Sequence, residues 1–113
     1  MPHYLKFINL ANVLEEEFIR SHAIDRRGLK LLEAISIQHS LNQSLMTTDV
    51  MALSQFGSPA AIHRSLWLLR DKGLALVFHK GKDRRTKYLC TSEIVKQYYA
   101  QLGVALITAS EVT

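Results

Sequence analysis

Apolar positions recur at helical spacing through most of the chain. Tyr4, Phe7, Ala11, Leu14 and Phe18 follow a 3-4-3-4 rhythm and predict a helix over 4–20, and Leu5, Ile8, Leu10 and Val13 widen its apolar surface. Asp25 can cap a second helix over about 26–40, with Leu29, Leu32 and Ile35 inward. A polar loop, SLNQS, follows at 40–44. In MTTDVMALSQF (46–56), Thr47 or Thr48 can cap a short helix that buries Val50 and Leu53. Gly57 suits a left-handed helix end, Ser58 a cap, and Pro59 the first position of the next helix. That helix, PAAIHRSLWLLRDK, turns Ile62, Leu66 and Leu69 inward and stops at Gly73. Two strand-like runs come next, LALVF (74–78) and KYLCT (87–91). Thr91 or Ser92 caps a last helix, EIVKQYYAQLGVALI. It carries two apolar stripes, one through Ile94, Tyr98, Leu102 and Ala105, the other through Val95, Tyr99, Leu102 and Leu106.

A short helix, a tight turn and a longer helix make a helix-turn-helix, and the hairpin behind it makes a wing. The expected class is mainly α with a small β-hairpin wing (α+β), a winged helix-turn-helix with extra N- and C-terminal helices. All 113 residues read as a single domain. Its DNA-binding lobe is expected over 25–91, with helices for dimerisation at 1–22 and 92–113.

Charge sharpens this picture. The net charge is +4, but residues 58–91 alone hold eight Lys or Arg against two Asp. Much of that excess sits in HKGKDRRTKYL (79–89), between the two strand runs. Concentrated positive charge at a hairpin tip points to a polyanion, or else to a solvated basic face. Within the helix-turn-helix reading, helix 58–72 enters a major groove and wing 79–87 reaches a minor groove. Arg suits that tip, because a narrow minor groove has enhanced negative potential.

The candidate DNA-binding residues are Thr47, Ser58, Pro59, Ala60, His63, Arg64, Trp67, Lys80, Lys82, Arg84, Arg85 and Lys87. Arg64 is the best base reader, since guanidinium can bond bidentately to guanine; a phosphate contact is the alternative. Ser58 and Ala60 would meet the backbone or a thymine methyl. His63 can donate to a phosphate or stand exposed. Trp67 points away from the core, against DNA, against a partner, or over the wing base, the last being preferred.

The end helices carry more apolar surface than one small core needs. A homodimer is expected, joined through 4–20 and 93–109, with Tyr4, Phe7, Leu14, Phe18, Tyr98, Tyr99, Leu102 and Leu106 at its interface.

The segment MTTDVMALSQFGSPAAIHRSLWLLRDKGLA together with DRRTKYL resembles the MarR-type winged helix-turn-helix transcriptional regulators. The similarity runs over about residues 29–100, and SPAAIHRSLWLLRDKGL and DRRTKY carry most of it. The resemblance implies a wing Asp that orders the tip through an Arg, and a wing Arg in the minor groove. Those roles fall on Asp83, Arg84 and Arg85, without deciding which Arg does which. Phe56-Gly57-Ser58 departs from the family's usual Gly, apolar, Ser, and Thr91-Ser92 from its Leu-Thr. The chain is also shorter in the end helices, so a small-molecule effector stays unassigned.

Other chemistries find little footing. The five histidines show no metal-ligand spacing, and no Gly-rich phosphate loop or Ser/His/Asp arrangement stands out. No enzyme activity, metal or cofactor is expected. One cysteine, Cys90, cannot form an internal disulfide, which suits a reducing cytoplasm, and the resemblance implies a bacterial-type, nucleoid-associated protein. No apolar run reaches ~18 residues and the start lacks a signal-peptide pattern, so a membrane partner is not expected. The expected function is a sequence-specific double-stranded DNA-binding transcriptional regulator, most simply a repressor. The alternatives are a replication or partition protein of a mobile element and a winged-helix protein-interaction module.

Overall fold

A computed structural model describes residues 1–111. Its elements are α1 (His3–His22), α2 (Arg26–Ser40), α3 (Thr47–Met51), a 3-10 turn (Ser54–Phe56), α4 (Pro59–Asp71), β1 (Ala75–Phe78), β2 (Tyr88–Thr91) and α5 (Glu93–Ser110). The architecture is mainly helical with one small antiparallel hairpin, a winged-helix α+β fold. Two compact units organise the described residues: 1–23 with those from 93 on, and 24–92.

In the first unit α1 packs against α5. Phe18 stacks on Tyr98 with ring centroids 4.3 Å apart, and both are buried. α1 extends to His22 and ends where Ala23 turns left-handed (φ 52°). The buried positions of α5 are Tyr98 and Ala105 from one expected stripe, Val95 from the other, and Ala109 from neither. Ile94 and Leu106 of those stripes are exposed.

In the second unit the core joins Leu29, Leu32 and Ile35 of α2, Val50 of α3, Ile62, Leu66 and Leu69 of α4, and Leu74 and Leu89 at the hairpin. Burying each such side chain contributes about 1.5–3 kcal/mol. Asp25 caps α2 by accepting from the Gly28 N–H at 2.7 Å. Ser58 caps α4 by accepting from the Ala61 N–H at 3.2 Å, with Pro59 at the first turn, as the sequence predicts. β1 and β2 pair Ala75 with Thr91 through to Phe78 with Tyr88.

Local departures have local causes. The expected helix over 46–56 breaks after Met51 into α3 and the 3-10 turn, because Leu53 leaves the helical region (ψ 71°). Neither Thr47 nor Thr48 caps α3; Asp49 reaches back and accepts from the Met46 N–H at 2.8 Å. Gly57 is not a left-handed helix end. It adopts φ 131°, ψ −168°, a region open essentially to Gly alone. Beside it Arg27 Nε donates to Phe56 O at 2.7 Å, tying α2 to the turn before α4. The expected cap of α5 also differs. Thr91 Oγ1 lies 3.1 Å from Ser36 Oγ, and Ser92 Oγ is buried without a hydrogen bond among the described residues.

The chain ahead of α3 adds a feature absent from the pattern reading. Leu89 N–H donates to Leu45 O (2.9 Å) and Thr47 N–H to Lys87 O (3.1 Å), around a bridge between Met46 and Tyr88. A third, one-bridge strand thus flanks the hairpin.

Gly57→Ala should destabilise the protein by about 1–3 kcal/mol in urea unfolding, because a Cβ at that backbone angle is strained and would lie 3.2 Å from Arg27 Nε.

Candidate nucleic-acid interface

The candidate residues all belong to the unit 24–92. On α4, Ala61, Ile62, Ser65, Leu66 and Leu69 are buried. At about 100° per residue the opposite face presents Ala60, His63, Arg64, Trp67, Leu68 and Arg70, all exposed. Ser58 and Pro59 are exposed at its start.

A concavity of ~260 Å3 opens beside this helix. It is lined by Thr47, Thr48 and Met51 of α3, by His63, Leu66, Trp67 and Arg70 of α4, and by Lys87 at the base of the wing. Four of the expected residues, Thr47, His63, Trp67 and Lys87, therefore meet in one place. The backbone bond from Thr47 to Lys87 holds two of its walls together. Trp67 lines the concavity together with Lys87 at the wing base. It remains 58% exposed. Arg64 lies on the other flank of the exposed face, outside the concavity's lining.

Thr48, Met51, Leu66 and Arg70 were not among the expected DNA-binding residues. Arg70 had a signal: positions 63, 67 and 70 are spaced 4-3 and share one helix flank. Thr48 and Met51 had none, since their place depends on how α3 meets α4.

The wing loop, 79–87, is ordered from within. Asp83 Oδ1 accepts from the Arg85 N–H and Asp83 Oδ2 from the Thr86 hydroxyl, both at 2.9 Å. His79 Nδ1 lies 2.9 Å from Thr86 O, across the neck of the loop. Gly81 takes φ 55°, which turns the chain. Asp83 thus organises the tip, but through the main chain of Arg85 and the side chain of Thr86. The Arg that Asp83 engages is Arg85, by its main-chain N–H. Arg84 and Arg85 are exposed, and among the described residues their guanidinium groups bond to nothing. Lys82 is exposed on the same loop. Lys80 folds back, its Nζ 4.1 Å above the Tyr88 ring, a cation–π contact worth about 0.5–1 kcal/mol at an exposed site.

Hydrogen bonds to the charged form hold the Asp83 carboxyl below the usual carboxylate range, the Arg85 N–H contributing most and the Thr86 hydroxyl next. The ionised form therefore orders the loop at neutral pH.

Of the expected interface residues on the end helices, Phe18 and Tyr98 are buried against each other. Phe7, Leu14, Tyr99 and Leu102 are half-buried, and Tyr4 (69%) and Leu106 (55%) are exposed.

No protein-family profile and no curated protein sequence matches the chain. A solved structure does. The crystal structure of transcriptional regulator PA4135 is similar with a TM-score of 0.57 at 13% identity, over 94% of this chain and 74% of that one. The fold is thus shared with a protein described as a transcriptional regulator. No helix among the described residues is long and apolar enough to cross a membrane.

Asp83→Ala should remove the exchange protection of the Arg85 amide while leaving the core amides protected, read by hydrogen exchange at neutral pH. In the parent protein, that protection should persist through mildly acidic pH and fade only as pH falls through the lowered Asp83 pKa.

Proposed function

We propose that the protein is a sequence-specific double-stranded DNA-binding transcriptional regulator of the MarR-like kind, most simply a repressor that occludes a promoter. One observation carries the reading. The exposed face of α4, the start of α3 and the basic wing base line a single concavity, in the unit that also bears the wing cations. The fold shared with transcriptional regulator PA4135 supports it. So does the excess of eight Lys or Arg over two Asp in residues 58–91.

In this reading α4 lies in the major groove and Arg64 reads a base edge. Arg84 and Arg85 enter the neighbouring minor groove, where insertion of Arg is favoured by a narrow groove. Ser58, Pro59 and Ala60 approach the backbone or a thymine methyl, and Lys80 and Lys82 add to the field around the wing. Each phosphate neutralised releases condensed counterion, so affinity falls steeply with salt. The protein would act in the cytoplasm at the nucleoid and needs no cofactor.

The protein works as a homodimer on this proposal, giving two reading units for two half-sites. An apolar hollow of ~440 Å3 in the α1–α5 unit supports this. It is lined by Leu10, Val13, Leu14, Gln101, Val104, Ala105 and Thr108. In the same unit, Tyr4, Leu106 and Ile107 leave apolar surface in water. Exposed apolar area of this kind is commonly covered by a partner.

Arg64→Ala should cost about 1–3 kcal/mol and relax preference at one base position, measured by selecting bound fragments from random duplex DNA. Arg84→Ala with Arg85→Ala should weaken binding to all sequences and flatten the salt slope. Parental duplex affinity in that double variant at moderate salt would remove the wing from the reading. Sedimentation should give about twice the 12.8 kDa chain mass, and Val104→Asp should shift it toward the single-chain value.

A further inference from the structure

We infer that the concavity between α3, α4 and the wing base seats one backbone unit of the bound duplex, a deoxyribose with its phosphodiester. The inference rests on the DNA reading above and adds where the strand between the two grooves is held and by which side chains. A major groove and the adjacent minor groove are separated by one sugar-phosphate strand. A protein with its recognition helix in one and its wing in the other must hold that strand between helix and wing. The ~260 Å3 concavity lies between those elements.

Its chemistry suits such a guest. Trp67, Met51 and Leu66 supply an apolar wall for the sugar. Arg70 and Lys87 supply two cations for the phosphate, and the Thr47 and Thr48 hydroxyls supply neutral donors. No Asp or Glu lines the space. Among the described residues neither Arg70 nor Lys87 has an ion-pair partner, so both charges are available. The seat is also built in advance. The Thr47 N–H bond to Lys87 O (3.1 Å) fixes two walls through the main chain, so binding has only side chains left to order. Arg70 and Lys87 thereby take roles distinct from the tip arginines: they hold the register of the strand without reading sequence.

Trp67 is the single tryptophan of the chain, so emission excited beyond the tyrosine absorption band reports on this wall alone. The whole protein is titrated with a mixed-sequence duplex, following Trp67 emission and, separately, the anisotropy of a labelled duplex. Emission should change saturably and in step with anisotropy. Arg70→Ala and Lys87→Ala should each weaken binding about tenfold, as expected for loss of one charge-assisted contact. The double variant should lose less than the product of the two, because both cations address one phosphate. Lys87→Arg, which keeps the charge, should retain binding, and circular dichroism confirms that each variant folds.

Duplex binding with unchanged Trp67 emission and parental affinity in both alanine variants would overturn the seat while leaving the DNA reading intact. Absence of duplex binding even at low salt would overturn both. A parallel titration with inorganic phosphate at constant ionic strength separates the sources of the anion. If phosphate alone reproduced the emission change and displaced the duplex, the concavity would be a free-anion site and the backbone assignment would fail.

Discussion

The candidate interface depends on two main-chain hydrogen bonds that join residues 45–47 to the second strand of the wing. Leu89 N–H donates to Leu45 O, and Thr47 N–H donates to Lys87 O. A two-stranded hairpin alone is marginal in water. Here it gains a third, one-bridge neighbour, and Leu89 is fully buried. The same bonds place the first residue of α3 beside the base of the wing. Wing and helix-turn-helix therefore share a wall, and their side chains converge in one concavity.

The other end of the wing solves a different problem. Lys80, Lys82, Arg84, Arg85 and Lys87 crowd one loop and repel one another. The loop holds its shape because Asp83 spends both carboxylate oxygens on the Arg85 N–H and the Thr86 hydroxyl. Its charge sits among the cations without neutralising either guanidinium by direct contact. Lys80 is drawn aside onto Tyr88, leaving Lys82, Arg84 and Arg85 to the solvent. A cationic tip that is ordered but unpaired is what a polyanion meets at least entropic cost.

α4 divides its labour by helical phase. Buried Ile62, Leu66 and Leu69 fix its roll against the core. That roll sets Trp67 and Arg70 toward the concavity and Arg64 toward the other flank. Gly57 and Arg27 set where the helix begins. The Arg27 bond to Phe56 O secures the turn, and only Gly adopts the extended positive-φ backbone that follows.

Much of this was legible in the order of residues. Stripes of Leu and Ile at helical spacing specify the helices, because burying them is the dominant favourable term. Asp25 and Ser58-Pro59 mark helix starts, since their side chains and fixed backbone act within three residues. The cationic hairpin could likewise be read directly, for charge and strand propensity are local properties. Tertiary structure alone decided the rest. It ended α3 at Met51 and paired Leu45 and Thr47 with β2. It also collected Thr48, Met51 and Arg70 around Trp67. A one-bridge strand is too short to carry a period, and partners some forty residues apart are chosen by packing, which no local pattern records.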